Sequence, residues 1–402
     1  MSTEFSSPIF IGKTGQPAHE TLIQASSLSP QSSQLRKTTV PPYVDNENFY
    51  FKHNRDELCL KFTSDWKESQ KSMDTHSDVW AMYFPPSMNL EYDSELESRL
   101  AQDLSDWPCL KSIDAPLARL GLQVARLCSI KSPLSYERRI LLHRHVTWIF
   151  YMDQVSEKLA LYDLHSTAGK TYLDNLKSIL RDGPVTDMTQ FKGSCPDKLI
   201  ENAINAQRIL AEDLIPLKKK LLPPHHLSVC NDALDLFFDT QTEEGERFCA
   251  EPSLQNIYQT RAFTVGTMVP SILYMTTEQA ELFTPEDPCL IQLSVMAALW
   301  NDMIGIFKDL DSIDKQDDGS VYLNFVRASM RDQGLTVRDA LRGCAQRLNT
   351  LIHDFEFYLT SYRPARRQFY HANLEFTFMY FDFHLMGLKE SASERYGWKI
   401  IR

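Results

Sequence analysis

Between Ala298 and Ser312 the chain reads Ala-Leu-Trp-Asn-Asp-Met-Ile-Gly-Ile-Phe-Lys-Asp-Leu-Asp-Ser, and no other stretch constrains the fold as much. Leu299, Met303, Ile304, Ile306 and Phe307 recur at the helical period, which predicts a largely buried helix with polar residues set into it. Asn301, Gly305 and Asp309 are spaced i, i+4, i+8 and share one stripe of that helix, with Lys308 beside it. A carboxamide oxygen and a carboxylate two turns apart, with a small residue between them, suit one hard cation. The neighbouring ammonium suits an anion, phosphate above all, carried by that cation. The same residues also suit the solvent face of a helix, and the rest of the chain has to decide between the two.

At 402 residues the chain is long enough to bury a sizeable core. From Trp80 onward apolar residues recur at helical spacing in segments separated by Pro, Gly or Asp-Gly. Helices are predicted near 91–104, 113–130, 134–165, 167–181, 197–219, 225–248, 253–282, 287–312, 319–333, 335–360 and 364–388. Val, Ile and Thr form no alternating strand pattern, and no repeat of fixed period occurs. The expected fold class is all-α, a single large helical bundle over 75–402. Residues 1–45, rich in Ser, Thr, Pro and Gln, predict a disordered leader, and 46–74 predict a short N-terminal strap.

A formal net charge of −11 argues against a nucleic-acid protein, so any phosphate has to be held locally by metal and a few basic residues. Cys59, Cys109, Cys128, Cys195, Cys230, Cys249, Cys289 and Cys344 form no CxxC pair and read as reduced structural thiols. There is no basic-then-apolar leader and no run of about 18 apolar residues, which predicts no membrane span and a cytoplasmic protein. Lys218 to Lys220 read as a solvated helix end, and Trp148, Phe150, Trp300 and Phe307 read first as core packing.

His145 to Glu157 is the second place where an apolar, aromatic-rich helix turns acidic. Asp153 and Glu157 stand at i, i+4 and project from one face. Two desolvated carboxylates repel unless a cation neutralises them or the helix end reaches water, and the segment alone leaves both options open.

Taken together, the helix carrying Asp153-x-x-x-Glu157 and the later one carrying Asn301-Asp-x-x-Gly305-x-Phe-Lys308-Asp309 resemble the two metal-binding helices of class I terpene synthases, most like a fungal sesquiterpene cyclase. Asp153 falls on the first, magnesium-bridging position of the family's Asp-Asp-x-x-Asp/Glu motif, with Glu157 on the fifth. Asn301, Gly305 and Asp309 fall on the chelating positions of Asn-Asp-x-x-Ser/Thr-x-x-x-Glu, and Lys308 matches its diphosphate-contacting basic residue. The run Pro252 to Gly266 resembles the family's helix with a diphosphate-sensing arginine, Arg261, and a helix-breaking glycine, Gly266. Arg395 and Tyr396 match the terminal Arg-Tyr pair. Three positions depart from the pattern: Gln154 replaces the second Asp, Gly305 the hydroxyl ligand, and Asp309 is one methylene shorter than Glu.

The resemblance implies a class I terpenoid synthase bundle with a catalytic domain over 75–402 that takes a prenyl diphosphate and Mg2+, as three ions, and works as a monomer or homodimer. Asp153, Glu157, Asn301, Gly305 and Asp309 would form the metal set. Arg261, Lys308, Arg395 and Tyr396 would contact the diphosphate, and Phe150 and Gly266 the prenyl chain. Farnesyl diphosphate is the expected substrate and a cyclic sesquiterpene or its alcohol the product; the alternatives are a C20 cyclase acting on geranylgeranyl diphosphate and a non-catalytic helical relative.

Overall fold

In the computed structural model, the described residues are 51–53, 56–62, 79–80, 91–109, 115–162, 167–247, 254–284, 287–315, 323–387 and 398–401. The predicted leader at 1–45 lies outside them, as do Arg395 and Tyr396. Strands β1 (Phe51–His53), β2 (Asp56–Phe62) and β3 (Val79–Trp80) come first in the chain. Helices α1 (Ser94–Asp106), α2 (Ala115–Cys128), α3 (Tyr136–Tyr162) and α4 (Thr167–Leu180) follow. Next are α5 (Asp197–Arg208), α6 (Ile215–Leu221), α7 (Pro224–Arg247), α8 (Leu254–Thr264), α9 (Met268–Tyr274) and the single turn α10 (Thr277–Ala280). Last come α11 (Pro288–Lys315), α12 (Phe325–Gln333), α13 (Val337–Ser361), α14 (Pro364–Gly387) and strand β4 (Trp398–Ile401).

The all-α expectation holds for the body of the chain, with one correction. β2 pairs antiparallel with β1, β3 and β4, and the β4 register sets Cys59 opposite Ile401 and Phe62 opposite Trp398. A small sheet therefore joins the predicted strap to the chain end. The signal was the alternation of Leu58, Leu60 and Phe62 with Glu57, Cys59 and Lys61, which uses Leu and Phe where a search for Val, Ile and Thr looks elsewhere.

The helices form because each has an apolar stripe to bury, and α11 is the one buried on nearly every side. Met296, Ala297, Leu299, Trp300 and Ile306 are fully buried, and α8, α13 and α14 pack around them. Pro288–Ile306 is the one described segment long and apolar enough by mean hydropathy to cross a membrane, though Gln292, Ser294, Asn301 and Asp302 interrupt it; most of it is buried inside the bundle, and core burial accounts for its composition. Trp300 meets Phe381 of α14 with ring centroids 5.0 Å apart.

Two of the predicted helices are interrupted. The one expected over 197–219 widens into a π-turn at Ile209–Leu214, just before Pro216, whose missing N–H cannot continue the regular ladder. The one expected over 253–282 breaks after Thr264 at Gly266, where φ is +72°. A Cβ there would meet Ile149 and Phe237 only at ordinary contact, so it is the left-handed backbone that requires glycine.

Buried polar side chains act as fasteners. Arg139, 5% exposed, donates to the carbonyls of Cys128, Ile130, Ser132 and Leu134, satisfying the end of α2 and the turn that follows it. Lys218 is not a solvated helix end: it is fully buried, donates to Asn231 Oδ1 at 3.0 Å, and desolvation lowers its pKa.

Burial also acts on two histidines of α3. The His143 imidazole, 2.7 Å from the Gly121 carbonyl, is pushed down to about 4, and His145 is held well below its ordinary value. Below the ordinary value of 6.5 the unfolded chain binds protons that the folded chain refuses, so folding stability rises with pH between about 4 and 6.5. The expected slope is at most about 1.4 kcal/mol per pH unit for each such ring. Urea unfolding at stepped pH should show midpoints falling on acidification through this window, and His143→Gln should flatten the fall.

Candidate active site

A cavity of about 270 Å³ opens among α2, α3, α7, α8, α11 and α14. Each wall is one helical stripe. α3 contributes Ile149, Phe150, Asp153 and Glu157; α8 and the turn after it contribute Arg261, Thr264, Val265 and Gly266; α11 contributes Asn301, Ile304 and Asp309; α14 contributes Tyr380, Phe383 and His384. These spacings of three, four and eight residues are why separate stretches of sequence can meet around one space.

The apolar part of the lining is aromatic. Phe150 stacks on Phe383 with centroids 5.7 Å apart and planes 23° apart, and Phe237 adds a third ring. Trp148 and Trp300, both fully buried, stay in the core as expected.

The polar part is a set of hydrogen-bonded carboxylates and one carboxamide. Gln241 of α7 donates to Asp153 Oδ1 at 3.0 Å. Arg261 NH2 lies 2.6 Å from Asp302 Oδ1 and 3.4 Å from Asn301 Oδ1. The Arg261 and Asp302 side chains are 13% and 2% exposed. Burial pushes the Asp302 carboxyl up, and the Arg261 charge opposes that shift without cancelling it. The other Asp302 oxygen accepts from the Phe325 backbone N–H at 2.9 Å, which anchors the start of α12. Asn324, the N-cap of α12, donates to Asp309 Oδ2 and to the Asp302 carbonyl, each at 2.9 Å.

Asp153, Glu157, Arg261, Asn301, Asp309, Phe150 and Gly266 thus converge on one cavity. Gly305 sits on the same stripe: a Cβ built on it would stand 3.3 Å from Asp309 Oδ2 and 3.6 Å from Oδ1. A side chain at this position would press on the Asp309 carboxylate, which would have to give way by a few tenths of an ångström. An all-oxygen donor set of this kind fits a hard divalent cation. Among the described residues no three His, Cys, Asp or Glu side chains form a metal cage. A cation here would complete its shell with the Asn301 oxygen, water and the oxygens of a bound anion. The helix carries Lys308, but its side chain lies outside the described set, and Arg395 and Tyr396 are not described.

Several lining or bracing residues were not singled out from sequence: Gln241, Thr264, Asn324, Tyr380, Phe383 and His384. Only α14 offered a signal, since Tyr380 and His384 are spaced i, i+4 on a predicted helix. Asp302 stood inside the quoted motif, but its role as partner of Arg261 needs the fold.

No family model matches the chain. Over 359 residues it is 45% identical to a (+)-bicyclogermacrene synthase of Penicillium expansum, covering 89% of this chain and 92% of that protein. Its fold is similar to that of 2-methylisoborneol synthase from Streptomyces coelicolor A3(2), solved with Mg2+ and geranyl-S-thiolodiphosphate, with a TM-score of 0.55 and 15% identity over 78% of this chain and 96% of that one. It is also similar to germacradien-4-ol synthase from Streptomyces citricolor, with a TM-score of 0.50 and 14% identity over 76% and 96% of the two chains.

The Arg261–Asp302 pair makes a direct prediction. Asp302→Ala removes the carboxylate that pairs with Arg261 and accepts from the Phe325 N–H, and should cost about 3–5 kcal/mol of stability. Guanidinium chloride unfolding of the variant against the parent protein measures it, and a change below about 1 kcal/mol would contradict the burial of the pair.

Proposed function

The chain belongs to the terpene synthase family, and on that basis we propose that it ionises farnesyl diphosphate with the help of magnesium and cyclises the resulting cation to a sesquiterpene or sesquiterpene alcohol. The observation that carries this reading is the meeting of Asp153, Arg261, Asn301 and Asp309 with an aromatic-lined space in a single cavity. The sesquiterpene synthase relative supports a C15 substrate. The bacterial structure containing Mg2+ and a diphosphate analogue supports the cation.

Asp153 and Glu157 on α3, and Asn301 and Asp309 on α11, would hold magnesium between them. When bound, magnesium neutralises the departing diphosphate. Arg261 adds a charge-assisted hydrogen-bond donor to the same group, its guanidinium steadied by Asp302. Lys308, Arg395 and Tyr396 are the further donors we assign to the diphosphate from the family motif.

The lining sets an anion-binding guanidinium and cation-binding oxygens beside an apolar space, which accords with ionisation of an allylic C–O bond. Once the bond has broken, Phe150, Phe237 and Phe383 present π-faces to the cation and exclude the water that would quench it. Gly266 lets the backbone turn at the cavity wall where α8 ends, and the prenyl chain would lie against that turn.

Incubation of the purified protein with farnesyl diphosphate should release diphosphate and one dominant cyclic C15 product only when magnesium is present. Asp153→Ala and Asn301→Ala should each lower turnover on the order of 100-fold or more. Turnover confined to the C10 or C20 diphosphates would overturn the C15 assignment. Gly305→Ser adds a hydroxyl at the family's ligand position but crowds the Asp309 carboxylate, and should change the magnesium concentration needed for half-maximal rate; an unchanged requirement would remove position 305 from the metal set.

A further inference from the structure

The orientation of the Asn301 carboxamide is held by a device that lies outside both metal-binding motifs. Asn301 Nδ2 stands 2.8 Å from Tyr380 Oη and 3.3 Å from His384 Nε2, both on α14. His384 Nδ1 stands 2.9 Å from the Tyr380 carbonyl one turn earlier. A carbonyl only accepts, so Nδ1 carries a proton, and in the neutral ring Nε2 is then an acceptor. The ring is kept in that attitude by edge contacts with Tyr380, centroids 4.5 Å apart, and with Phe383, 5.4 Å apart. Tyr380 is 6% exposed, and its phenolic oxygen, a donor and acceptor in one group, has lone pairs to offer the amide.

Both hydrogens of the Asn301 amide therefore have acceptors on α14. The amide oxygen occupies the opposite edge, where Arg261 NH2 approaches only to 3.4 Å while the same nitrogen sits 2.6 Å from Asp302. A carboxamide turned over by 180° would set its oxygen against the His384 lone pair and offer hydrogens to the cavity. An NH2 group cannot ligate a cation, so the orientation of this one amide decides whether α11 has a neutral oxygen ligand at all. Its weight is greater because Gly305 contributes no hydroxyl on the same stripe.

We propose that Tyr380 and His384 are positioning residues that select the ligating orientation of Asn301 through its two amide hydrogens. The inference rests on reading Asn301 as a magnesium ligand. It also gives α14 two tasks, since the turn that braces the ligand carries Phe383 and Tyr380 into the cavity lining.

The test is calorimetric titration of magnesium with inorganic diphosphate into the full chain, so that no turnover is involved, alongside thermal midpoints without ligand. Tyr380→Phe and His384→Leu should each weaken magnesium-dependent diphosphate binding about 10- to 100-fold, as loss of a ligand's outer partner does. His384→Gln, which keeps an acceptor, should stay closer to the parent protein. Midpoints without ligand should change far less than affinity, which separates positioning from a general packing defect. Binding unchanged in both Tyr380→Phe and His384→Leu, with binding lost in Asn301→Ala, would overturn the positioning role and leave the metal reading standing. Parent-like binding in Asn301→Ala would remove Asn301 from the metal set, and the positioning role would fall with it.

Discussion

The buried pair of Arg261 and Asp302 is the interaction on which the site depends. A guanidinium and a carboxylate removed from water are costly unless each finds a close partner, and here they meet at 2.6 Å. Because Asp302 also accepts from the start of α12, one carboxylate ties α8, α11 and α12 together at the edge of the cavity. Arg261 is thereby held in place before any ligand arrives. Such pre-organisation is what a site that stabilises a departing anion needs.

Around that pair the cavity is a compromise between packing and access. The stripes that face it carry carboxylates and a carboxamide on α3 and α11, where uninterrupted apolar residues would make a tighter core. Each polar group is braced from a neighbouring helix: Asp153 by Gln241, Asp309 by Asn324, Asn301 by Tyr380 and His384. The braces cost little, being hydrogen bonds between groups that burial obliges to find partners. They confer orientation, which a bare stripe of acids lacks.

Much of this was legible in the chain. Period and punctuation located the long helices well, because apolar stripes and Pro or Gly breaks are local properties. The two metal-type motifs and Arg261 were legible because one helix face carries them at fixed spacing. What escaped has a common cause in pairing across distance. The β2–β4 sheet joins residues more than three hundred positions apart, Gln241 reaches Asp153 across 88 positions, and Asn301 reaches His384 across 83. Lys218 is likewise buried by a partner on another helix, Asn231 of α7, which the charge run does not reveal.

The sequence by itself determined the all-helical body, the polar faces of α3 and α11 and the resemblance that identifies the family, because each is written in residue type and spacing along a single element. The tertiary structure alone decided that Arg261 is paired with Asp302, that Phe150 faces a cavity while Trp148 and Trp300 do not, and which atom of Asn301 is presented. These outcomes turn on which helix lies opposite. Helical periodicity defines a face, and only packing supplies the partner that gives the face its orientation and its chemistry.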